Sequence, residues 1–572
     1  MMKKLIPTWP ADSILSPGSA PFAAMQARLT ALVTLLDRTD EKKAPGDFLK
    51  LAEAARTLIR TMLTACDAQR ALNARGSRAG SVRQQLLGLS AELDQKSRRM
   101  AVPDGEDPLV KALLRWQAVQ ARRRTQTPAE RRVAEPLRSL YSRLKAGMRI
   151  NVPTTGGAFS GTLTAAAAES VLKNTDDPAV RRSAFGVFNA WYAENAPLFA
   201  DLLNAVTAVR VNALEASGRT LTDAAAADEG VSAAVMTALL KVVDDEAPLV
   251  RPAVSMQAEV FVGKGAEPKM PIAFLWAPPP FAKTPAPLTT FEGAVKAVKA
   301  SLETIAPTAA AFIDREMREG WVESRNLSGG EGGSWTDELP AVGAVAVYAD
   351  WQPTVGRAFE LAHTFGEAFV RSELLKEPML VRRPPAVICE TVGRLFSHAL
   401  LIYLIRETEA VKTDYAAVLW QGLRRLTKNL LDLPFRCRLT QSVHEERARR
   451  YLAVSDLNEL TEKAWKRFYG DSTDGYDQFV WAHRVHFYRT ETLHYDWQYT
   501  FGFLASVKLY ERLAKDGTTA SGGTLADFCR ESAWTDGEAL FKKHLGADLT
   551  DERFWQDAYR AALFPLRLAE EL

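Results

Sequence analysis

The sequence predicts a mainly α-helical protein with a small β-sheet beside a buried helix. Apolar residues recur every three or four positions through most of the 572 residues, which is the period of one helix face. Residues 321–349 change to a strand, glycine-loop, strand pattern. The next helix, predicted over 357–373, is apolar on nearly every side, and such a helix is expected to be buried.

The composition is that of an ordinary globular protein, with 47% hydrophobic and 25% charged residues. A net charge of +3 gives no reason to expect nucleic acid or a membrane surface as a partner. The four cysteines are far apart and lack metal-finger spacing, so reduced thiols in a cytoplasm are expected. We expect no signal peptide and no membrane span, because no long apolar run is present.

The first domain is predicted over residues 1–150 as a helical region. Its helices are expected at 22–37, 48–75, 81–100, 109–120 and 128–148. The pattern then changes at 149–164, where Val152, Pro153 and a Gly156-Gly157 pair predict a hairpin. The second domain is predicted over 151–572.

This second domain is also expected to be helical, apart from the sheet. Asp177 followed by Pro178 predicts the capped start of a long helix that ends near Ser217. The proline-rich stretch 268–287 is expected to be a rigid loop. Amphipathic helices are predicted over 414–469, where His444 is expected to lie in a solvated charge run because no second histidine follows at ligand spacing.

Residues 479–502 are rich in aromatic side chains and contain three of the seven histidines, His483, His486 and His494. Two interpretations are open for this stretch. It could be a packed aromatic core in which each imidazole is hydrogen-bonded, or it could be an active-site wall of hydrogen-bond donors. Residues 524–572 return to a helical pattern.

The central apolar helix carries two polar side chains, and their presence in a buried helix requires an explanation. His363 and Glu367 are four residues apart, so they lie on one face. A buried carboxylate is costly unless it is paired, hydrogen-bonded or bound to a metal. The residues therefore indicate either a buried His–Glu pair or two metal ligands. A second apolar helix, predicted over 387–406, carries Glu390 and His398 in the same way.

Taken in order, these segments resemble the oligoendopeptidase F and thimet oligopeptidase family of zinc peptidases. The resemblance covers nearly the whole chain and rests on a series of landmarks. These are PTWPADSILSPGSAPF near the start, WVESRNLSGGEGGSW before the central helix, ELAHTFGEAF within it, PAVICETVGRLFSHALL after it, and WAHRVHFYRTETLHYDWQYTFG near the end. The last of these is the most specific.

The resemblance implies a two-lobed fold around a deep channel that admits short peptides. It implies metal ligands at His363, Glu367 and Glu390, and it implies that three further side chains bind or polarise a peptide carbonyl. Those three are His486, Tyr495 and Tyr499.

Three positions depart from the family pattern. Thr364 stands where the general base belongs, Glu367 replaces the second histidine ligand, and Trp497 replaces a tyrosine. One histidine with two carboxylates is a harder ligand set, which suits manganese or iron relatively better, although zinc can still bind.

Because a general base is worth about 10²–10⁴-fold in rate, we expect a pseudopeptidase that binds peptides and has lost or weakened zinc-dependent hydrolysis. The alternative is an active metallo-oligopeptidase with a His/Glu/Glu site, in which Glu367 or another residue acts as the base. A helical scaffold, in which the polar side chains only form core hydrogen bonds, is a third possibility.

Overall fold

The computed structural model describes residues 9, 15–72, 77–123, 127–153, 159–175, 177–265, 268–279, 284–324, 333–490 and 492–571. These residues are mainly helical, which confirms the predicted fold class. The α-helices, in chain order, are α1 (Ala20–Arg38), α2 (Pro45–Leu72), α3 (Ser77–Arg99), α4 (Pro108–Arg122), α5 (Pro128–Gly147), α6 (Ala165–Asn174), α7 (Pro178–Ser217), α8 (Leu221–Asp228), α9 (Ala233–Glu246), α10 (Arg251–Val262), α11 (Phe291–Leu302), α12 (Pro307–Glu319), α13 (Val355–Leu374), α14 (Ala386–Thr408), α15 (Lys412–Leu426), α16 (Leu433–Arg447), α17 (Val454–Tyr469), α18 (Val480–His483), α19 (Trp497–Asp516), α20 (Leu525–Glu531), α21 (Gly537–Leu545), α22 (Glu552–Ala562) and α23 (Phe564–Glu570). The strands are β1 (Ile150–Pro153), β2 (Phe159–Leu163), β3 (Val322–Glu323), β4 (Trp335–Leu339) and β5 (Ala344–Tyr348).

The long helix α7 begins and ends as its sequence predicts. The Asp177 carboxylate accepts hydrogen bonds from the backbone N–H groups of Ala179 and Val180, and Pro178 occupies the first turn. At the other end Gly218 has a left-handed backbone with φ of 63°, which glycine adopts without steric cost. These two signals explain why the helix occupies this stretch of the sequence.

The strands form two small sheets. Strands β1 and β2 pair antiparallel, which confirms the predicted hairpin, although its Gly-Gly turn lies outside the described residues. In the other sheet β5 is central, parallel to β3 and antiparallel to β4. Every residue of β5 is buried, which explains why apolar residues follow one another along this strand without alternating with polar ones. Most of the predicted glycine loop at 328–335 also lies outside the described residues.

The chain divides into two compact units, each assembled from three separated stretches of sequence. The first unit comprises Met1–Arg122, Thr284–Arg406 and Lys508–Ala547, and the second comprises Arg123–Lys283, Glu407–Val507 and Asp548–Leu572. The first unit therefore contains the three-stranded sheet and α13, and the second contains the hairpin and α7.

Helix α13 lies in the core of the first unit. It packs against β4, β5, α11, α12 and α20. The ring of Phe369 meets the ring of Phe312 edge-on at 5.7 Å and lies 6.1 Å from the ring of Phe396 on α14. This placement confirms the predicted buried helix beside a sheet.

Helix α14 is the described helix that is long and apolar enough to cross a membrane by length and composition. Its most apolar window is 72% buried inside the protein, which is the condition of a core helix. His398 is buried on this helix, and its ring meets the ring of Tyr510 at 5.0 Å.

One polar residue of the second unit is buried against expectation. His444 on α16 is only 5% exposed and hydrogen-bonds through Nδ1 to the carbonyl oxygen of Thr440 at 2.9 Å. The prediction of a solvated charge run was therefore wrong for His444. The neighbouring Glu445 is exposed, and the charged neighbours in the sequence hid the buried face of this helix.

Candidate metal centre

Helix α13 positions the first two candidate ligands. The Thr354 hydroxyl caps the helix by accepting a hydrogen bond from the backbone N–H of Arg357 at 3.2 Å. From that start, the four-residue spacing places His363 and Glu367 on the same face. The Nε2 atom of His363 lies 3.3 Å from Oε1 of Glu367. The two side chains therefore meet as predicted, although both are partly exposed instead of buried.

Helix α14 supplies the third candidate ligand. Oε2 of Glu390 lies 3.7 Å from Nε2 of His363, and one ligand atom from each of the three side chains lies within 4.8 Å of the other two. Two ligands held about 2.1 Å from a tetrahedral ion stand about 3.4 Å apart. The spacing of these three atoms therefore fits a divalent metal.

Two glycines allow the helices to come close enough for this arrangement. A β-carbon on Gly366 would lie 2.7 Å from the Cα of Gly393 and 2.7 Å from the carbonyl oxygen of Val392. Sequence reasoning did not identify either glycine as part of the site. The available signal was an isolated glycine within each helical pattern, which commonly has a packing reason.

Arg394 is a further residue that sequence reasoning did not identify. Its Nε lies 3.3 Å from Oε2 of Glu390, the same oxygen that faces His363. The signal was its position four residues after Glu390 on a helix. Arg394 therefore neutralises Glu390 and also competes with a metal ion for that carboxylate.

Glu367 is held in the charged form that a metal ligand needs. Burial by itself raises the pKa of this carboxyl group, but the hydrogen bond from His363 and the nearby charges of Arg371 and Arg394 outweigh it. The net result is a pKa below the ordinary glutamate value.

Thr364 offers no basic group at the position where the resemblance implies the general base. Its side chain is buried, and its hydroxyl donates a hydrogen bond to the carbonyl oxygen of Glu360 at 2.9 Å. The carboxylate of Glu360, one turn away, is itself bonded to Nη1 of Arg357 at 2.6 Å. Neither residue is poised to take a proton from a water molecule.

The three donor atoms suit a metal ion. The surroundings of the His363 ring suit it less well. One imidazole nitrogen and two carboxylate oxygens are suitable ligands for zinc or manganese. A metal-bound histidine usually donates its other ring N–H to an acceptor, which fixes the ring. The Nδ1 atom of His363 is buried, and no residue in the described part of the chain hydrogen-bonds to it.

The other predicted site residues form a cluster within the second unit. The hydroxyl oxygens of Tyr495 and Tyr499 are 2.6 Å apart, and the ring of His486 stacks on Tyr495 with centroids 4.7 Å apart. The guanidinium of Arg489 lies 4.5 Å from the centre of the Tyr495 ring. The structure thus brings His486, Tyr495 and Tyr499 together.

His486 is a neutral imidazole at ordinary pH. Burial, followed by the charges of Arg436 and Arg489, lowers its pKa to about 3. A neutral ring can donate one hydrogen bond and accept another. His486 is only partly buried, and its Nδ1 has no hydrogen-bond partner among the described residues.

The two neighbouring histidines match the core interpretation instead. His483 is bonded through Nε2 to the Asp477 carboxylate at 2.7 Å. His494 lies with Nε2 at 3.4 Å from the sulfur of Cys437, and both residues are buried. Trp497 is fully buried, so its indole contributes to packing at the position of the replaced tyrosine.

Comparison with known proteins locates the fold. No family model matches the chain, and no curated protein matches it. Among solved structures it is similar to a protein from Chlamydophila abortus assigned to the peptidases, with 15% identity, 96% of each chain covered and a TM-score of 0.75.

Two further structures extend this likeness. PZ peptidase A, solved with an inhibitor, has 14% identity, covers 96% of this chain and 97% of its own, and gives a TM-score of 0.71. Oligoendopeptidase-F from Enterococcus faecium has 16% identity, covers 96% of this chain and 90% of its own, and gives a TM-score of 0.56. The resemblance stated from the sequence is confirmed at the level of the fold.

Proposed function

We propose that this chain is an oligoendopeptidase-F-like protein that binds short peptides and has lost or greatly weakened metal-dependent hydrolysis. The observation that carries the proposal is Thr364, whose hydroxyl is committed to the backbone of Glu360. Threonine has no basic group at neutral pH, and loss of a general base alone costs about 10²–10⁴-fold in rate.

Peptide binding is supported by the shared fold and by the aromatic cluster. The similar structures include an oligoendopeptidase and a peptidase bound to an inhibitor. In this chain, one hydroxyl of the Tyr495–Tyr499 pair donates to the other, which leaves one hydroxyl hydrogen and the neutral ring of His486 to donate to a peptide carbonyl. We expect these donors to orient a bound peptide whether or not it is cleaved.

A second candidate function is an active metallo-oligopeptidase with a His363, Glu367 and Glu390 site. The separations of 3.3 Å and 3.7 Å between ligand atoms favour it, because they suit one divalent ion. Such an ion would supply Lewis-acid chemistry at a peptide carbonyl. Glu367, or a residue from another part of the chain, would then have to move the proton.

Metal content is the first measurement that separates these functions. Protein purified without chelator is analysed for bound metal, beside a His363→Ala variant. One metal per chain that is lost in the variant would establish the metal site and leave hydrolysis to be tested. No bound metal, even after incubation with zinc or manganese, would eliminate the metallopeptidase candidate.

Restoring the missing groups tests the proposal directly. Hydrolysis of a mixture of quenched fluorescent peptides is compared among wild type, the double variant Thr364→Glu/Glu367→His, and a Thr364→Ser control that keeps the hydroxyl. We expect the double variant to gain about 10²-fold or more over wild type and over the control. Metal-dependent hydrolysis by wild type that equals the double variant's rate and disappears in His363→Ala would overturn the proposal.

A further inference from the structure

A cavity of about 200 Å³ in the first unit lies next to the candidate metal centre. Arg371 lines it, one helical turn after Glu367 on α13, and so does Cys389, which precedes Glu390 on α14. Its wall contains five arginines: Arg56, Arg60, Arg371, Arg382 and Arg383. Arg56 is buried and Arg383 is exposed, while the other three arginines are half-buried. Several guanidinium groups thus share one cavity, and charged side chains in such surroundings are usually paired.

Several of these guanidinium groups keep unused hydrogen-bond donors. The Nε atoms of Arg56, Arg60 and Arg371 are buried and have no hydrogen-bond partner in the part of the chain that the structure describes. The same holds for Nη1 of Arg382. Buried polar groups are nearly always hydrogen-bonded, so these four donors are available to an acceptor that enters the cavity.

The carboxylates around the cavity do not satisfy the arginines. Five acidic side chains act on them: Glu53, Asp94, Asp337, Glu338 and Glu367. The cavity wall itself, among the described residues, holds five guanidinium groups but two carboxylates, those of Asp94 and Glu338.

The ion pairs themselves are loose. Arg56 lies 3.6 Å from Asp94, and Arg382 lies 3.6 Å from Glu338. Arg371 lies 3.8 Å from Asp337, which also pairs with Arg60. Most of these separations exceed the length of a charge-assisted hydrogen bond, which is about 2.7–2.9 Å.

Glu338 contributes an unpartnered acceptor, in contrast to the unpartnered donors of the arginines. Its Oε2 atom is buried and accepts no hydrogen bond from the described residues. Burial raises the pKa of this carboxyl group, although Arg60, Arg382 and Arg371 act against the increase. When this carboxyl group is ionised, its unpartnered Oε2 can accept a hydrogen bond from a ligand hydroxyl beside the guanidinium donors.

We propose that this cavity binds a small phosphate, either free or as a monoester of a compact organic molecule. A guanidinium group presents donors in a rigid fork that matches the oxygens of phosphate, and such pairs are common in phosphate recognition. A phosphate that keeps one hydroxyl also supplies the donor that Oε2 of Glu338 requires. Apolar wall residues accommodate the organic part of a monoester; they include Ile59, Leu63, Trp116 and Leu380.

This proposal does not rest on peptide binding or hydrolysis, and its test is kept free of them. Phosphate can also bind a metal ion, so calorimetric titrations use chelator-treated protein and are repeated with His363→Ala. Inorganic phosphate and glycerol 3-phosphate are titrated separately. We expect one binding site per chain, with a dissociation constant of about 1 mM or tighter, retained in His363→Ala.

Three variants locate the site. Arg56→Met and Arg371→Met remove buried donors and should weaken phosphate binding about tenfold or more, since a charged hydrogen bond contributes strongly. Arg383→Met changes an exposed residue at the rim and should weaken binding about threefold without disturbing the fold. The matched control is Arg99→Met, an exposed arginine on α3 outside the cavity wall, which should bind as wild type does.

The outcomes are decisive in each arm. Tighter binding of glycerol 3-phosphate than of phosphate would identify an organic phosphate as the ligand class, and the reverse order would identify the free ion. Both support the cavity as the site when the Arg383→Met effect is present. No heat of binding with either probe at about 20 mM, or equal binding by Arg383→Met and Arg99→Met, would overturn the proposal.

Discussion

The imidazole ring of His363 lies directly against the backbone of Gly393. A β-carbon built on Gly393 would stand 2.7 Å from both Cε1 and Nδ1 of that ring. The ring therefore occupies the space that any other residue at position 393 would fill. The orientation of the first candidate ligand is thus set by the absence of a side chain on the neighbouring helix.

Gly393→Ala should displace the His363 ring and weaken metal binding. Changes that disturb the orientation of a metal ligand typically cost about 10–100-fold in affinity, and overpacking a core typically costs about 1–3 kcal/mol in stability. Metal affinity by competition with a chelating dye, together with thermal unfolding, measures both effects. Gly88→Ala on α3, where a β-carbon meets nothing within 4 Å, is the control. Equal metal affinity in Gly393→Ala and wild type would contradict the assignment of His363.

Gly366→Ala should be the more damaging of the two glycine substitutions. Its β-carbon would meet backbone atoms of Val392 and Gly393, and backbone cannot rotate away as a ring can. We expect α13 and α14 to be pushed apart, with a stability loss toward the upper end of about 1–3 kcal/mol. Thermal unfolding of the two variants side by side gives the comparison. A smaller loss than that of Gly393→Ala would show that the helices adjust more easily than their contact suggests.

Arg394→Met should strengthen metal binding while destabilising the metal-free protein. The guanidinium lies 3.3 Å from the Glu390 oxygen that faces His363, so it competes with a metal ion. Without it, the carboxylates of Glu367 and Glu390 lose a neutralising charge, and we expect metal affinity to rise about tenfold. Dye competition and unfolding in the presence of chelator measure the two effects. Weaker metal binding by the variant would mean that Arg394 supports the ligand instead of competing with the ion.

Acid should destabilise the second unit through its buried histidines. Burial, the largest cause, lowers the pKa of His494 from 6.5 to about 4. In the unfolded chain the His494 imidazole becomes protonated near pH 6.5, whereas in the folded chain it stays neutral until about pH 4. Stability from this residue is therefore complete above pH 6.5 and is lost as pH falls from there toward 4, by about 2 kcal/mol between pH 7 and pH 5.

His494→Asn removes that titration and is the comparison that isolates it. Urea unfolding at pH 7 and pH 5 should show a smaller fall in the midpoint for the variant than for wild type. His363→Asn does not serve as a control, because it changes the candidate metal centre. His444→Gln is a better comparison, because burial lowers the pKa of His444 to about 3. This variant should also show a smaller fall in the urea midpoint between pH 7 and pH 5 than wild type does. A pH dependence unchanged in both variants would refute the role of burial.

The sequence predicted the helices and the spacing of two candidate ligands, because both follow from local periodicity. His363 and Glu367 share a face on any α-helix, whatever surrounds it. Glu390 was placed by resemblance, since its distance from His363 depends on how two helices pair. Gly366, Gly393 and Arg394 were missed for the same reason: their roles arise only from the contact between α13 and α14.

Two other features were beyond local rules. The helix changes to a π-helical turn at Thr427–Asp432, and the spacing of apolar residues did not predict this change. The arginine cavity unites residues of α2 with residues of α13 and the segment before α14, which lie hundreds of positions later in the sequence. Individually each arginine is typical of a solvated helix face. Their shared cavity is a property of tertiary packing.

The division of each unit into three stretches has a consequence for synthesis on the ribosome. Helix α13 packs against α20, which follows about 150 residues later in the chain. At about 5–20 residues per second, a nascent chain would carry α13 for about 7–30 s before that contact could form. During this interval its apolar face is available to chaperones, so we expect the maturation of this protein to depend on them more than a domain of continuous sequence would.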